Sequence, residues 1–343
     1  MNIEERIISK EKNPFVIVEI GINHNGSFEK AKKMVKDAFE SGAECVKFQM
    51  HVIEDEMSKD AQNVVPGNAD ESIWDIMDKA SLSVEEHIKL KKYVEELGMI
   101  YLSTPFSRAA ADILEDIGVS AYKIGSGECN NYPLVEHIAS FGKPIILSTG
   151  MNDIKSITKS VKILKNYDVD YALLHCTSMY PTPYEKGRLG AITHLKEVFP
   201  EAIVGLSDHS LGNYTAFGAI PLGASIIEKH FTSDKSWEGP DVEISITPDE
   251  LKDLIKGTEA IHKALGGRKD ILEEEQPTID FAYASVVSIK DIKKDEKFTK
   301  DNIWVKRPGT GEIKAEKFTD ILGKKAKTKI LKDEQLKWSM IKG

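Results

Sequence analysis

The sequence predicts an α/β protein, namely a (β/α)8 TIM barrel followed by a small mixed C-terminal domain. Three features predict this architecture. Eight short apolar runs alternate with segments of helical spacing, the runs are apolar almost throughout, and about 60 residues remain beyond the last repeat and its linker. A chain of 343 residues also exceeds one average domain, which favours two.

The eight runs have the length and composition of buried strands. They are FVIVEI from Phe15, CVKFQ from Cys45, MIYLS from Met99, AYKIG from Ala121, PIILS from Pro144, ALLH from Ala172, IVGLS from Ile203 and SIIEKH from Ser225. Strands that alternate with helices form parallel sheets, and strands this apolar are covered on both faces. Eight strands are the number that closes a barrel, and a doubly wound open sheet is the alternative.

Glycines mark the expected ends of the helices between these strands. Gly42, Gly98, Gly118 and Gly142 each precede a strand, and glycine adopts the left-handed conformation of a helix C-terminus without strain. The rhythm is interrupted by a long polar connection between residues 50 and 81. Such connections are usually functional, and a flexible insertion is the alternative.

The last barrel helix is expected around residues 248–265. The following stretch, GGRKDILEEEQPT, lacks periodicity and carries glycine, proline and a run of charges, which indicates a linker. The remaining residues mix short β-like pieces with charged turns and are too few for a large core. We therefore expect a barrel at 1–266, a linker at 267–284 and a small domain at 285–343.

Composition narrows the choice of partners. The 46 Lys and Arg residues against 55 Asp and Glu give a net charge of -9, which argues against a basic surface for nucleic acid or anionic lipid. Cys45, Cys129 and Cys176 lack the spacing of disulfides or zinc ligands, and no run approaches the roughly 18 apolar residues of a membrane span. We expect a cytoplasmic protein that acts on small molecules.

Polar side chains are concentrated at the predicted strand ends. In (β/α)8 barrels the catalytic groups lie at the carboxyl ends of the strands and in the loops that follow. More polar groups stand there than a packed barrel requires. They are Glu19, Lys47, Gln49, Ser103, Thr104, Lys123, Ser126, Ser148, Thr149, His175, Ser207, His209 and His230.

Lys47 and Lys123 stand inside otherwise apolar runs, where an unpaired ammonium is costly to bury. One explanation is an ion pair with an internal carboxylate such as Glu19 or Glu128. The other is a bound phosphate or carboxylate, which is favoured by the hydroxyl of Ser126 and the backbone N–H groups that follow Lys123. We expect an anion-binding pocket.

His209 and His230 follow the seventh and eighth runs, which are neighbours in a closed barrel. Their imidazoles are therefore placed to share one divalent ion, with positions left open for water and substrate oxygen. Such an ion acts as a Lewis acid rather than as a structural staple. His175 follows the sixth run and is either a third ligand or a hydrogen-bond partner of its own loop.

Other familiar signatures are absent. The string Gly125-Ser126-Gly127 is too short for a dinucleotide fingerprint, and neither a GxSxG elbow nor a GxxxxGK[ST] loop occurs. Hydride transfer, acyl transfer by serine and nucleotide hydrolysis therefore lose support.

Eight strings together resemble the sialic acid synthase (N-acetylneuraminate synthase) family. They are VEIGINHNGS from Val18, STPFSRAAA from Ser103, YKIGSGECNNYP from Tyr122, STGMN from Ser148, YPTPY from Tyr180, GLSDHS from Gly205, EKHFT from Glu228 and IWVKRPGTG from Ile303. The resemblance runs from about residue 16 into the C-terminal module. Each string is longer than a usual motif, and the order of the strings also agrees.

The resemblance implies a barrel followed by an antifreeze-like (SAF-type) domain, in a domain-swapped homodimer whose small domain covers the partner's barrel. It implies condensation of phosphoenolpyruvate with open-chain N-acetylmannosamine and water, giving N-acetylneuraminate and phosphate. The implied cofactor is a divalent metal, typically Mn²⁺, with Mg²⁺ or Co²⁺ as alternatives.

The resemblance also implies roles for individual residues. The metal ligands are His209 and His230. The phosphoenolpyruvate-binding residues are Lys47, Thr104, Lys123, Ser126, Ser148, Ser178 and Ser207. The sugar-side residues are Gln49, Tyr180, Asp241, Asn68 and Arg307, the last from the partner subunit. The catalytic set is Glu19, Glu128, Lys47 and Lys123, and which carboxylate activates water is left open.

One position departs from the family pattern. Ser178 in HCTSMYPT stands where the bacterial enzymes have Asn, and serine reaches less far, so the substrate preference is open. The nearest alternative is the same reaction on a 2,4-diacetamido sugar, the precursor of legionaminate. A Schiff-base aldolase using Lys47 or Lys123 and a non-catalytic glycan-binding protein are the more distant alternatives.

Overall fold

A computed structural model describes residues 1–66 and 70–342. The chain forms two compact units, Met1–Gly266 and Gly267–Gly343. Across the described residues, no helix is both long and apolar enough to cross a membrane.

Eight parallel strands form the sheet of the first unit. They are β1 (Phe15–Gly21), β2 (Cys45–Met50), β3 (Ile100–Pro105), β4 (Tyr122–Ile124), β5 (Ile145–Ser148), β6 (Tyr171–Cys176), β7 (Ile203–Asp208) and β8 (Ile226–His230). Hydrogen bonds join them in the order β3-β2-β1-β8-β7-β6-β5-β4, and the terminal strands β3 and β4 also lie side by side. The sheet closes, which confirms the predicted barrel.

Helices connect successive strands. They are α1 (Phe28–Glu40), α2 (Ile53–Glu56), α3 (Ile73–Ala80), α4 (Val84–Glu96), α5 (Arg108–Ile117), α6 (Tyr132–Ala139), α7 (Ile154–Asn166), α8 (Gly190–Val198), α9 (Tyr214–Ala219) and α10 (Pro248–Ala264). The short helices α2 and α3 occupy the long connection after β2. Its described part is therefore structured rather than a flexible insertion.

Local sequence fixes where these helices begin and end. Ser27, Ser107 and Asp153 each accept a backbone N–H from the residue three positions on, which satisfies a donor that the helix itself leaves free. Ser83 and Thr247 form full capping boxes with the glutamates of the same first turn. At the other end of α5, Gly118 has φ of 75°, the left-handed conformation expected of a helix stop.

Strict alternation along the strands separates two cores. In β1, Phe15 and Ile17 belong to a core inside the barrel, whereas Val16 and Val18 pack in the core under the helices. In β8, Ile226 likewise lies inside the barrel and Ile227 outside it. Because side chains alternate between the two faces of a strand, the inner face passes from apolar residues to polar ones toward the carboxyl ends.

A short hairpin, Asn2–Ile3 paired with Arg6–Ile7, precedes β1. Ile3 and Ile8 are buried in the same core as Phe15 and Ile17, so the hairpin packs apolar side chains against the amino end of the barrel interior. The interior is consequently open to ligands from the carboxyl end, where the polar residues lie.

The second unit is small and mixed. Strands β9 (Ser285–Ser288) and β10 (Ile303–Lys306) pair antiparallel, and α12 (Phe318–Ile321) contributes Ile321 to a core that also holds Val286 and Phe298. The unit also contains α11 (Gln276–Ala282), within the segment interpreted above as a linker. Pro277 in its first turn and the Gln276–Asp280 hydrogen bond of 2.7 Å favour this helix, which is too short to show periodicity.

Two buried histidines of the barrel unit predict an acid-sensitive fold. Burial lowers the pKa of His24 and of His87 to about 4 each, against about 6.5 in an unfolded chain. The unfolded chain therefore binds protons first as the pH falls below about 6.5, and stability is lost down to about pH 4. Each histidine should remove about 2 kcal/mol of unfolding free energy between about pH 7.5 and pH 4.5.

Urea denaturation at several pH values measures this loss. His87→Phe should make the fall in unfolding free energy with pH shallower by about 2 kcal/mol, whatever its effect at neutral pH. His194→Phe, on the exposed surface of α8, is the matched control. An identical pH dependence for wild type and His87→Phe would contradict the assignment.

Candidate active site

A cavity of about 300 Å³ opens at the carboxyl ends of the barrel strands. It brings together twelve of the sequence-predicted site residues, contributed by all eight strands or the loops that follow them. They are Glu19, Lys47, Gln49, Thr104, Lys123, Ser126, Ser148, Ser178, Tyr180, Ser207, His209 and His230. The roles assigned to these residues remain predictions.

Four buried charges form the floor of the cavity, and we call them the charge cluster: Glu19, Lys47, Lys123 and Glu228. Lys47 Nζ lies 2.7 Å from Glu19 Oε2 and 3.7 Å from Glu228 Oε2. Lys123 Nζ lies 3.6 Å from Glu228 Oε1. All four residues are at most 5% exposed, so each charge depends on the others for compensation.

The structure thus contains both the ion pairs and the open pocket that the sequence left as alternatives. Glu19 is the ion-pair partner of Lys47, as considered from the sequence, whereas the second carboxylate is Glu228 and not Glu128. Sequence reasoning missed Glu228. Its signal was present, because Ile226, Glu228 and His230 alternate along β8 and therefore share the inner face.

The members of the charge cluster differ in the direction of their pKa shifts. Burial raises the pKa of the Glu19 carboxyl despite the neighbouring Lys47 ammonium. Burial acts to raise the pKa of the Glu228 carboxyl, but the ammonium groups of Lys123 and Lys47 outweigh it and hold this pKa below the usual range. Burial lowers the pKa of Lys123, whose closest side-chain partner is a neutral hydroxyl. Lys123 is therefore the ammonium that gains most from an added anion.

Hydroxyl groups converge near Lys123. Lys123 Nζ donates to Ser148 Oγ at 2.7 Å, and Gly150 N donates to Ser126 Oγ at 3.0 Å. A Cβ atom at Gly150 would lie 2.5 Å from Ser178 Oγ and 2.8 Å from Ser126 Oγ. The absence of a side chain at residue 150 is what lets these hydroxyls approach each other.

The two histidines stand on the other side of the cavity. Their ring centroids are 5.4 Å apart, and the Tyr180 ring stacks on His209 at 4.2 Å. His209 Nδ1 lies 3.0 Å from the Thr177 carbonyl oxygen, which favours a proton on Nδ1 and leaves Nε2 as a free ligand atom. Burial, with a smaller contribution from His209, lowers the pKa of His230 well below its usual value.

The described residues contain no group of three or more His, Cys, Asp or Glu side chains placed to hold a metal. His175 hydrogen-bonds the Gly187 carbonyl oxygen at 2.8 Å, which matches the loop-bonding alternative. Cys176, which the sequence reasoning did not select, lines the cavity with its Sγ 3.7 Å from His209 Nδ1.

Two of the remaining predicted residues, Asp241 and Glu128, lie in the barrel unit outside the lining of this cavity. Asp241 borders an adjacent chamber, with Oδ2 3.7 Å from His230 Nδ1, and burial raises its pKa to about 6. Glu128 borders a neighbouring cleft and accepts a hydrogen bond from Asn131 at 2.6 Å. Arg307 belongs to the second unit, where its guanidinium lies over the Phe281 ring. Asn68 lies outside the described residues.

The adjacent chamber, of about 270 Å³, has a mainly apolar wall. Ile73, Ile76 and Met77 of α3 supply part of that wall, together with Ile22 and Phe106. Gln49, Phe106, Tyr180 and His230 border both the chamber and the cavity. A ligand that fills both spaces therefore meets charges at one end and apolar groups at the other.

Fold and site together define a TIM-barrel enzyme with a buried charge cluster beside a pair of histidines. Comparison with known proteins gives its family. The NeuB family model matches residues 34–270, and the SAF domain model matches residues 283–342. The chain belongs to the NeuB family and carries a C-terminal SAF domain, as the sequence resemblance implied.

Individual relatives agree with this placement. An uncharacterized protein of Methanocaldococcus jannaschii is 41% identical over 100% of this chain and 99% of its own. N,N'-diacetyllegionaminic acid synthase of Campylobacter jejuni is 38% identical, covering 95% and 99%. The crystal structure of the N-acetylneuraminic acid synthetase of Leptospira borgpetersenii superposes with a TM-score of 0.74 at 32% identity, covering 81% and 94%. The protein is a phosphoenolpyruvate-dependent condensing enzyme, which confirms the predicted reaction class.

Gly150 gives a direct test of the anion side of the cavity. In Gly150→Ala the new methyl group occupies the space between Ser126 and Ser178, so the KM for phosphoenolpyruvate should rise at least about 10-fold. Gly190→Ala is the matched control, because a Cβ there meets nothing within 4 Å. Steady-state kinetics with both variants make the comparison, and an unchanged KM in Gly150→Ala would contradict the placement of the anion.

Proposed function

We propose that the enzyme condenses phosphoenolpyruvate with the open-chain form of an N-acylated amino hexose and with water, releasing phosphate. The observation that carries this proposal is the arrangement of the cavity. The charge cluster and its serine hydroxyls lie at one side, the histidine pair at the other, and the apolar chamber continues from the histidine side.

Phosphoenolpyruvate is assigned to the side of the cavity that holds Lys123, Ser126 and Ser148. A phosphate there receives charge-assisted hydrogen bonds from an ammonium whose nearest carboxylate oxygen, Glu228 Oε1, is 3.6 Å away. Lys47 and Thr104, whose Nζ and Oγ1 atoms are 3.1 Å apart, remain for the substrate carboxylate. Ser207 supports this arrangement by donating to Glu228 at 2.8 Å.

His209 and His230 fit a divalent cation. Both imidazoles face one cavity, and His230 Nδ1 is buried without a hydrogen-bond partner. Two imidazole nitrogens are ligands for a divalent metal ion and leave coordination sites for water and substrate oxygen. The proposed ion is Mn²⁺, with Mg²⁺ and Co²⁺ as alternatives, because the family resemblance implies it. When bound, the cation supplies Lewis-acid polarisation of the sugar aldehyde.

Glu19 is the carboxylate that the geometry favours at the reacting centre. As C3 of phosphoenolpyruvate attacks the aldehyde carbon, C2 develops positive charge, and a carboxylate inside the cavity stabilises it. Glu19 lies there, held by Lys47 and by Gln49 Nε2 at 2.9 Å from Oε1, whereas Glu128 borders the neighbouring cleft. The raised pKa of Glu19 suits it to take a proton from the attacking water.

The sugar is proposed to be a 2,4-diacetamido hexose, with N-acetylmannosamine as the second candidate. Two N-acyl groups present two methyls, and the chamber beside His230 offers them an apolar wall. The Campylobacter relative, named for a diacetylated product, is 38% identical to this chain over 95% of the chain's length, which supports this choice. The Leptospira structure supports the second candidate.

The second unit is proposed to act in a domain-swapped homodimer, in which Arg307 of the partner subunit contacts the N-acyl group. This assignment rests on the family resemblance and on the exposed guanidinium of Arg307 in its own unit. The protein is further proposed to work in the cytoplasm.

An assay with purified protein tests the function. Phosphoenolpyruvate, Mn²⁺ and a panel of N-acyl amino sugars should give phosphate and a condensed product in equal amounts. Chelation with EDTA should abolish turnover, and added Mn²⁺ should restore it, because two histidines alone do not polarise the aldehyde. His209→Gln should lower kcat by at least about 100-fold. His175→Gln is the matched control, because His175 does not line the cavity.

The kcat/KM for each sugar, with the product identified by its mass, decides between the two candidates. Higher kcat/KM for the 2,4-diacetamido sugar supports the first candidate, and turnover of N-acetylmannosamine alone supports the second. Metal-free turnover of pyruvate, with a borohydride-trapped adduct on Lys123, would instead establish a Schiff-base aldolase and contradict the proposed function.

A further inference from the structure

A second buried ion pair lies near the cavity but outside it. Lys229 Nζ is 2.8 Å from Asp208 Oδ2, and the two residues are 1% and 5% exposed. Neither lines the reaction cavity, and neither has a part in the chemistry assigned above. The pair therefore needs an explanation of its own.

Both oxygens of the Asp208 carboxylate accept hydrogen bonds. Ser210 N donates to Oδ1 at 3.0 Å, and Thr215 Oγ1 donates to Oδ2 at 2.7 Å. Ser210 Oγ lies 3.2 Å from Oδ2. Lys229 also donates to the Ser210 carbonyl oxygen. The lysine thus contacts the residues on both sides of His209 in the chain.

Strand register explains why this contact matters. Lys229 of β8 pairs with Asp208 of β7, and each residue immediately precedes one of the two cavity histidines. Because successive side chains point to opposite faces of a strand, the ion pair lies on the outer face while His230 points inward. The Lys229 ammonium therefore links the carboxyl end of β8 to that of β7, at the residue pair that immediately precedes the two histidines.

Stability alone is a weak reason for such a pair. Removing two charges from water is costly, and well-packed apolar side chains often stabilise a buried position equally well. An ion pair differs from apolar packing in that it fixes two particular atoms at one distance. Groups behind metal ligands set the orientation of those ligands in this way.

We infer that Asp208 and Lys229 are positioning residues, which set the separation and orientation of His209 and His230 for a divalent cation. This inference rests on the proposed function, because it presupposes that the histidines bind the cation. It goes beyond that function by assigning a role in cation affinity to residues that contact neither cation nor substrate.

Direct Mn²⁺ binding tests the inference without reference to turnover. Electron paramagnetic resonance of free Mn²⁺, titrated into the full-length protein, gives the dissociation constant. Lys229→Met should weaken Mn²⁺ binding by about 10- to 100-fold. The double variant Asp208→Leu/Lys229→Met, which leaves no unpaired buried charge, should weaken it similarly. Phosphoenolpyruvate binding measured calorimetrically without metal should stay within about 2-fold of wild type, since the charge cluster is untouched.

Two further variants separate positioning from general stability. Leu164→Ala removes a fully buried side chain of α7, so it destabilises the barrel unit but should leave Mn²⁺ affinity unchanged. Thr215→Val removes the hydroxyl that donates to Asp208 and keeps both charges of the ion pair, so it should weaken Mn²⁺ binding by a smaller factor. This milder variant keeps the inference testable if the charge variants do not fold.

The outcomes are distinguishable. Wild-type protein that binds no Mn²⁺ would defeat the proposed metal site, and this inference with it. An unchanged Mn²⁺ dissociation constant in Lys229→Met would defeat the inference and leave the metal site standing. If the charge variants do not fold, an unchanged dissociation constant in Thr215→Val would do the same. Equal loss of affinity in Leu164→Ala and the charge variants would also overturn it, because the effect would then follow stability.

Discussion

The charge cluster inside the barrel is the constraint on which the rest of the site depends. Two ammonium groups and two carboxyl groups are buried on one floor, and none could be tolerated there without the others. The arrangement compensates Lys47 closely and Lys123 loosely, so the interior is stable without a ligand and still has one cation that an added phosphate can satisfy. The proposed anion site is thereby part of the packing of the barrel.

The strands deliver this arrangement through their alternation. On the inner face, apolar residues such as Ile17, Ile146 and Ile226 fill the amino end, and each is followed two positions later by a polar group at the carboxyl end. On the outer face, β7 and β8 are joined by Asp208 and Lys229 just before the cavity histidines. The proposed binding and positioning roles therefore fall on opposite faces of the same strands.

Much of the fold could be predicted from the sequence because eight apolar runs with helical segments between them admit few architectures. The cavity residues followed because a barrel gathers its strand ends. Glu228 was missed because a single carboxylate inside SIIEKH has no motif, and Gly150 because its role depends on the hydroxyls of distant Ser126 and Ser178. The helix α11 was missed because seven residues show no periodicity. The partner of a buried charge is a tertiary fact, which local sequence does not contain.

Calorimetric titration of phosphoenolpyruvate into the metal-free protein and its Lys123→Met variant tests the central claim most directly. The account predicts that Lys123→Met weakens binding on the order of 100-fold, because the loosely compensated ammonium supplies the principal contact to the phosphate. Lys143→Met, which removes an ion pair with Glu115 on the outside of the barrel, should bind as the wild type does. Wild-type affinity in Lys123→Met would show that the charge cluster is not the phosphoenolpyruvate site.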